Sequence, residues 1–569
     1  MENISKRTLA MNLILLMVAL FVGKIHAEKW PVYAKNGMVT SSSRIASKVG
    51  ADILKKGGNA VDAAVATGFA LAVVHPSAGN IGGGGFMVIR MADGVCKTVD
   101  YREKAPKAAT EKMYLDENGV LVKNLNHEGY LAIGVPGTVA GFTLALEKFG
   151  SMSLKEVLKP AIKLAKKGFP LSYGLVRAFN WFEKDFRKHP GSAKKFFKKD
   201  GSKYEMGDIW KQPDLAATLK RIAKHGKAGF YYGVTAELFE REMKANGGLI
   251  TKEDLLAYKA QIREPIVNHY RDYTIYGMPP PSSGGITVSL MLNILEGYDL
   301  QAMGHNSAQY IHTVTEAMRR AFEDRAQYLG DPDFNPDMPV EKLISQEYAD
   351  ELRKTIHPEK ASVSSPESFQ WAYESEETTH FAVVDAAGNA VSNTFTLEYS
   401  YGSRIVLNGG GFLMNNEMGD FNPWPGHTDS TGLIGTPPNL VRPEKRMLSS
   451  MSPTIVAKNG KNFMVIGSPG GRTIINTVLE SILNVIDFGM NIYDAIDAPR
   501  FHHQWLPDYT WIEKRGTTVE TVEKLKEMGH RIRWRNGQGR AMGVIIDPET
   551  GIRSGAADPR SPDAGAVGY

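Results

Sequence analysis

Near the middle of the chain, an acidic polar run changes abruptly into an apolar one in the segment Glu374-Ser375-Glu376-Glu377-Thr378-Thr379-His380-Phe381-Ala382-Val383-Val384-Asp385. Side chains alternate between two faces from Phe381 to Val384, which predicts a strand. Asp385–Gly388 predicts a turn and Val391–Leu397 the return strand. A hydroxyl at the start of a buried strand, after a cleavable loop, suits an N-terminal threonine nucleophile whose own α-amine is the general base. On this segment alone an ordinary loop-to-strand junction is the commoner explanation, because threonine is frequent in strands.

The bulk composition is that of a globular protein. The chain is 43% hydrophobic and 23% charged. Its 569 residues are enough for several domains or for one large layered domain. The net charge is only +5, and the basic residues between Lys184 and Lys199 are interpreted as a solvated surface. The charge is therefore too small to indicate a nucleic-acid partner.

The N-terminus has the layout of a secretory signal peptide over residues 1–27. Lys6 and Arg7 precede an apolar run from Met11 to Val22, and small or polar residues follow as far as Ala27. This run is shorter than the about 20 apolar residues that a membrane span needs. We therefore expect a periplasmic or secreted protein without a stable membrane span.

Cys96 is the only cysteine, so an exported form would have no internal disulfide. We interpret this residue as structural. Without a disulfide, the stability of the protein must come from a large hydrophobic core.

The remaining patterns predict a mixed architecture, α/β or α+β. Helices are expected at Ser41–Leu54, Ala60–Val74 and Ser307–Tyr328, strands with few helices from Thr378 to Thr473, and a loop at Gly555–Arg560. The glycine run at 82–85 leads into a strand and lacks the Gly-Lys-Ser/Thr ending of a phosphate-binding loop, so nucleotide binding is set aside. Helices outside sheets fit this order of elements.

Motifs distributed over residues 30–569 resemble those of the γ-glutamyltransferase family. They are Gly57–Ala64, Asn80–Met87, Arg102–Pro106, Val135–Gly137, Pro280–Gly285, Thr378–His380, Asn415–Phe421, Ser449–Thr454 and Gly467–Gly471. Because so many motifs occur in order, the match is far more specific than a single short motif.

The resemblance implies a fold and a processing event. The fold is the four-layer αββα sandwich of N-terminal-nucleophile hydrolases, formed jointly by two chains of one precursor. The precursor is expected to cleave itself between Glu377 and Thr378 into a large subunit of residues 28–377 and a small catalytic subunit of residues 378–569.

The resemblance also implies the activity. Members transfer the γ-glutamyl group of glutathione and related compounds to water, an amino acid or a dipeptide, and need no metal or organic cofactor. The Thr378 hydroxyl would first attack the Glu377 carbonyl and later the substrate amide, assisted by an α-amine whose ordinary pKa is about 7.7–8.0. Thr396 would orient the nucleophile, and the backbone N–H groups of Gly470 and Gly471 would stabilise the oxyanion. From the residues alone, Thr396 is an ordinary strand threonine, and Thr394 is an equally placed alternative.

The family pattern supplies binding residues for a glutamyl zwitterion. Arg102 matches the arginine that holds the α-carboxylate in a bidentate contact, and Ser449 and Ser450 match the hydroxyls that share it. The α-ammonium is assigned to three acidic residues: Glu398, Glu417 and Asp420.

The chain departs from the family pattern in places. It has Gly419 where many relatives have Asp, and Met447 where Pro is usual. The segment Pro425–Pro443 is long enough for the lid found in part of the family. Its expected tip, Thr431–Gly435, begins with Thr where an aromatic residue is common. The balance between hydrolysis and transfer depends on this lid.

Two other functions compete with the transferase. A cephalosporin (glutaryl) acylase of the same fold would lack the acids that bind an ammonium group. An exported binding protein that is never processed would stay one chain of 62.6 kDa.

Overall fold

A computed structural model describes residues 30–365, 378–433 and 435–569. The predicted signal peptide and the predicted cleavage residue Glu377 lie outside these ranges. Residues 32–569 group into one compact unit. Among the described residues, no helix combines the length and apolarity that a membrane crossing requires.

The described strands are, in chain order, β1 (Val32–Ala34), β2 (Met38–Ser41), β3 (Gly84–Arg90), β4 (Cys96–Tyr101), β5 (Phe169–Pro170), β6 (Ile209–Trp210), β7 (Gln261–Arg263), β8 (Ile266–Tyr270), β9 (Tyr273–Gly277), β10 (Thr379–Val384), β11 (Ala390–Thr396), β12 (Thr454–Lys458), β13 (Lys461–Gly467), β14 (Phe501–His502), β15 (Thr510–Glu513), β16 (Ile532–Arg535), β17 (Met542–Ile546), β18 (Arg553–Ala557) and β19 (Gly565–Gly568).

The described α-helices are Arg44–Lys55, Ala60–Val74, Thr138–Phe149, Leu154–Lys167, Tyr173–Trp181, Glu183–Arg187, Pro190–Phe196, Pro213–His225, Ala228–Tyr231, Gly233–Ala245, Lys252–Ala257, Gly284–Leu295, Leu300–Met303, Ala308–Tyr328, Val340–Leu343, Gln346–Lys354, Thr473–Ile486, Ile492–Asp497 and Val519–Glu527. Short 3₁₀ helices span Tyr130–Ala132, Glu417–Asp420 and Pro437–Asn439.

Two seven-stranded sheets form the centre, and all neighbouring strands in them are antiparallel. The first has the order β19-β2-β10-β11-β3-β4-β7 and the second the order β1-β18-β17-β13-β12-β9-β8. A three-stranded sheet, β14-β15-β16, and the pair β5-β6 complete the set among the described residues.

The two sheets pack face to face and helices cover their outer faces. Strands β2, β10 and β11 contact β13, β17 and β18 across the interface. Helix Ala60–Val74 packs on the outer face of the first sheet, and Gly284–Leu295 and Thr473–Ile486 pack on the second. The result is a four-layer αββα sandwich, which confirms the predicted fold class.

Strand β10 lies at the centre of this arrangement and is buried on both faces. Phe381 and Val383 belong to the outer core that includes helix Ala60–Val74, whereas Ala382 and Val384 belong to the core that includes the second sheet. The alternation predicted from the sequence is therefore confirmed. The turn after Val384 is closed by a hydrogen bond from the Gly388 N–H to the Asp385 carbonyl, with Gly388 at a φ of 91° that suits glycine.

Two sequence-based expectations were only partly right. The strands expected from Thr378 to Thr473 are present as β10 to β13, but the described residues between Thr396 and Thr454 form isolated bridges, such as Val406 with Leu413, and no strand. Side-chain bonds also hold this segment: Asn415 donates to the carbonyls of Gly82 and Gly134 and accepts from the Gly134 N–H. The first three residues of the expected loop at Gly555–Arg560 are instead the end of strand β18. Gly555 fits there because the Met38 side chain lies where a Cβ would project.

Asp62 ties helix Ala60–Val74 to its surroundings and provides a stability test. Its fully buried carboxylate accepts hydrogen bonds from the N–H groups of Asn59, Ser151 and Met152 at 2.8–2.9 Å and from the Ser151 hydroxyl. Asp62→Ala leaves these donors unpaired, so we expect the free energy of unfolding to fall by about 2–4 kcal/mol. Asp52→Ala removes only a surface pair with Lys48 and should change it by less than about 1 kcal/mol. Denaturant midpoints of the two variants check this, and equal midpoints would contradict it.

Candidate active site

Strand register brings the expected nucleophile and its expected partner together. Thr379 pairs with Phe395 in the antiparallel β10–β11 ladder, so the next position along places Thr378 opposite Thr396. Their hydroxyl oxygens lie 3.5 Å apart, at the limit of a hydrogen bond. The alternative, Thr394, contacts the His380 Nδ1 at 2.8 Å instead. Thr378 is buried, with 6% of its surface exposed.

The segment after β11 turns sharply and holds Glu398. The Thr396 hydroxyl accepts a hydrogen bond from the Glu398 N–H at 2.9 Å, and Glu398 adopts a left-handed φ of 77°. Its carboxylate lies 2.9 Å from the His127 Nδ1, and the His127 ring stacks on Tyr399. Burial lowers the pKa of His127 to about 4, so the ring is neutral near pH 7 and donates from Nδ1 to the carboxylate.

The glycine pair expected to form the oxyanion site joins β13 to helix Thr473–Ile486. Gly470 and Gly471 have φ values of 136° and 56°, a region that favours glycine. A Cβ on Gly470 would also lie 2.5 Å from the Thr473 hydroxyl. Backbone N–H groups at the start of this 14-residue helix favour negative charge nearby.

A buried cation–carboxylate cluster surrounds Arg102, which follows β4. Its guanidinium forms ion pairs with Glu417 and Asp420 and lies 3.6 Å from Glu103. Glu417 and Asp420 are three residues apart on a 3₁₀ helix, which has three residues per turn, so both side chains lie on the same side. Arg102 also donates to the carbonyls of Met447 and Leu448, at 3.2 and 3.1 Å.

Acidic groups outnumber the arginine in this cluster, and burial changes their protonation. Burial alone would lower the pKa of Arg102, but Glu417, Asp420 and Glu103 raise it above its usual range, so it stays charged. Burial raises the pKa of Glu103 to about 7 and that of Glu417 well above its usual range. Repulsion from Asp420 raises the pKa of Glu103 further, and repulsion from Glu103 and Glu398 raises that of Glu417. The cluster therefore combines a charged guanidinium with acids that burial makes harder to ionise.

The paired serines are braced by a neighbouring loop and by Arg325. The Ser283 hydroxyl and N–H both donate to the Ser449 carbonyl at 2.7 Å. Arg325, on helix Ala308–Tyr328, is buried and donates to the hydroxyls of Ser283 and Ser450 at 2.8 and 2.9 Å. These contacts hold Ser449 and Ser450 beside the arginine cluster.

Most of the expected site residues line one narrow cavity of about 20 Å³. The site residues that line it are Arg102, Thr378, Thr396, Glu398, Glu417, Asp420, Ser449, Ser450 and Gly471. Gly470 lines a neighbouring cavity together with Thr431 and Gly432 of the expected lid tip. The expected cleavage residue Glu377 lies outside the described residues.

Sequence reasoning assigned no role to Glu103, His127 or Arg325. Glu103 lies within a recognised motif beside Arg102, and that adjacency was a usable signal. His127 and Arg325 reach Glu398 and Ser450 across 271 and 125 residues of chain. No local pattern marks such contacts.

Comparisons with known proteins identify the family to which the chain is similar. A family model described as Gamma-glutamyltranspeptidase matches residues 46–568. The glutathione hydrolase proenzyme of Escherichia coli (strain K12) is 47% identical over 542 residues, covering 95% of this chain and 93% of that protein.

Two solved structures are also similar. The cephalosporin acylase from Bacillus halodurans superposes with a TM-score of 0.83 at 29% identity, covering 95% of this chain and 97% of that one. A chain of the Helicobacter pylori gamma-glutamyltranspeptidase, 49% identical, superposes with a TM-score of 0.56 and covers 57% of this chain and 92% of that one. The family match over nearly the whole sequence and the shared sandwich lead to one conclusion: the chain belongs to the gamma-glutamyltranspeptidase family.

Proposed function

We propose that this protein is an autoprocessing γ-glutamyltransferase that takes the γ-glutamyl group from glutathione and related amides. The observation that carries the proposal is the shared cavity. The Thr378 hydroxyl lies in the same cavity as Arg102 and the carboxylates of Glu398, Glu417 and Asp420. A nucleophile at one end and a set of opposite charges at the other suit an amide whose acyl part ends in an amino-acid zwitterion.

The acyl transfer follows from Thr378 as a chain terminus. Its α-amine removes the hydroxyl proton while Oγ1 bonds to the substrate γ-carbonyl carbon. The N–H groups of Gly470 and Gly471 would stabilise the resulting oxyanion. The C–N bond then breaks, the amine leaves with the proton, and a γ-glutamyl ester remains on Thr378. Water or a second amine attacks this ester and regenerates the hydroxyl.

The charged end of the substrate would enter the arginine cluster. Arg102 contacts Glu417 and Asp420 directly, and the cavity holds only about 20 Å³. A glutamyl group must therefore separate these pairs. Its α-carboxylate replaces an acid on Arg102, where the hydroxyls of Ser449 and Ser450 are close, and its α-ammonium meets the acid that was displaced. Each charge keeps an opposite partner, so entry exchanges ion pairs rather than breaking them.

The relatives support processing of a precursor. The Escherichia coli relative is named a proenzyme, and a Helicobacter pylori chain matched over 92% of its length covers only 57% of this one. Separate large and small chains would give such a partial match. We therefore propose subunits of residues 28–377 and 378–569. The N-terminal pattern separately supports a signal peptide of residues 1–27, which directs export to the periplasm or the medium.

The cephalosporin acylase similarity favours a second candidate, because that structure matches this chain over 95% of its length. A glutaryl group carries no α-ammonium, so an acylase has no use for a set of buried acids at the far end of its pocket. Glu398, Glu417 and Asp420 all line this cavity. The transferase therefore explains the site better.

Turnover of γ-glutamyl-p-nitroanilide tests the proposal. We expect release of p-nitroaniline in buffer and a faster release when glycylglycine is added, because an amine captures the ester in competition with water. Glutaryl-p-nitroanilide, which lacks the α-ammonium, is the matched control. Its kcat/KM should be at least about 100-fold lower, because it loses a charge-assisted contact with the acids of the pocket. Equal turnover of the two substrates would favour the acylase, and turnover of neither would contradict both.

A further inference from the structure

A second and larger cavity of about 290 Å³ lies beside the catalytic one. The two are linked through the glycine pair, since Gly471 lines the catalytic cavity and Gly470 lines the second. Thr431 and Gly432 of the expected lid also line the second cavity. We call it the arginine cavity, after Arg472, Arg533 and Arg535 in its wall.

The described residues in the wall of the arginine cavity include cationic side chains and no carboxylates. Among the described residues that line it, three are arginines and none is acidic. Arg533 and Arg535 are two apart on strand β16, so both side chains leave the same face of that strand. Arg472 precedes helix Thr473–Ile486, whose N-terminus adds positive potential.

A neighbouring histidine is consistent with this charge. His502 also lines the cavity, and its pKa lies well below the usual range. Burial is the main cause, and Arg535 and Arg472 lower the pKa further. His502 is therefore neutral and adds no charge, while Trp511 supplies an apolar face in the same wall.

We propose that the arginine cavity binds the amine partner of the reaction, both the amine that leaves the donor and the amine that arrives as acceptor, and that it selects amines rich in carboxylates. The inference rests on the proposed transferase function. The cavity adjoins the catalytic one at Gly470, beside the expected oxyanion site, whereas the glutamyl end is held by Arg102. A volume of about 290 Å³ suits an amino acid or a dipeptide. The preferred donor class is therefore γ-glutamyl peptides whose amine part is itself acidic.

The chemistry of the wall explains the preference. Guanidinium groups bind carboxylates in paired, charge-assisted hydrogen bonds, and several arginines can engage the two carboxylates of a glutamate better than the one of a glutamine. Arg533 is exposed and Arg535 half-buried, so solvent screens part of the attraction. We therefore expect a moderate preference rather than an absolute one.

The test compares hydrolysis of γ-glutamyl-glutamate and γ-glutamyl-glutamine, which are nearly isosteric and differ by one charge in the leaving amine. The readout is the ratio of their kcat/KM values on one enzyme preparation, which is independent of the fraction of active enzyme. We expect the unmodified protein to prefer γ-glutamyl-glutamate about tenfold at low salt, the effect of one screened charge contact. In the double variant Arg533→Gln/Arg535→Gln, which keeps Arg472, the ratio should fall most of the way to one. The double Lys variant keeps the charges and should retain part of the preference.

Arg531→Gln is the matched control. Arg531 lies two positions before Arg533, is also exposed and, like Arg533, contacts the Tyr509 ring, but it does not line the cavity. This variant should keep the tenfold ratio. The inference is overturned if the unmodified protein shows no preference, if the double Gln variant keeps it, or if Arg531→Gln loses it equally. Failure to hydrolyse γ-glutamyl-p-nitroanilide would instead overturn the proposed function itself.

Discussion

The variant Thr378→Ala is expected to stay a single uncleaved chain and to lose turnover by a factor on the order of 10⁴ or more. Both losses have one cause in the proposed mechanism, where the β-hydroxyl is the attacking group in processing and in catalysis. Denaturing electrophoresis and γ-glutamyl-p-nitroanilide turnover measure the two losses. In the unmodified protein we expect two bands, with N-termini at about Glu28 and at Thr378.

Thr378→Ser is the matched control, since serine keeps the β-hydroxyl and loses only a methyl group. It should still be processed and should retain measurable turnover. Cleavage of Thr378→Ala would show that another group attacks the Glu377 carbonyl. If the unmodified protein is neither cleaved nor active, the binding-protein alternative is favoured.

The variant Arg102→Ala is expected to lower kcat/KM for γ-glutamyl-p-nitroanilide by about 100- to 1000-fold, mainly through KM. The substrate α-carboxylate loses a two-pronged contact in a buried site, and a charge-assisted bond contributes about 1.5–3 kcal/mol. The same change removes the cation between Glu417 and Asp420, so the free energy of unfolding should also fall, by about 3–5 kcal/mol. Kinetics and thermal midpoints measure the two effects.

Two further variants separate binding from stability. Arg102→Lys keeps the charge but not the fork, so we expect an intermediate KM. Arg500 is buried and pairs with Asp558 at 2.9 Å, but it lines neither cavity, so Arg500→Ala should lower stability and leave KM unchanged. A normal KM in the Arg102→Ala variant would show that Arg102 does not bind the substrate.

Local features of the fold were predictable because short-range geometry determines them. Helix Ala60–Val74 has the predicted ends, since its run of small apolar residues begins after the Asn59 cap and the chain turns at His75-Pro76. The alternation in β10 was also predictable, because successive strand residues point to opposite faces. The same local reasoning missed the end of β18, where the distant Met38 side chain lies so close to Gly555 that it leaves no room for a Cβ.

The candidate site followed a similar division. Residues inside recognisable motifs, such as Arg102 and Asp420, could be proposed from sequence, but their pairing could not. The motif pattern paired Arg102 with the substrate carboxylate, whereas the structure shows it bonded to Glu417 and Asp420. These contacts span 315 and 318 residues of chain and depend on the end of β4 and a 3₁₀ helix meeting at the same place. The arginine cavity was not expected at all, because its arginines come from β16 and from the loop before helix Thr473–Ile486.

By itself, then, the sequence determined the family, helix Ala60–Val74, the strand pair β10–β11 and the candidate nucleophile Thr378, because motifs and periodicity are local properties of the chain. Only the tertiary structure decided which hydroxyl lies opposite Thr378 and which carboxylates contact Arg102. It alone also showed that a second cavity, lined by three arginines, adjoins the first. These depend on strand register and on contacts between residues hundreds of positions apart, and burial then changes the protonation of the groups that meet there. That is why the chemistry of Thr378 could be proposed from the chain, whereas the identity of its amine partner had to be inferred from the fold.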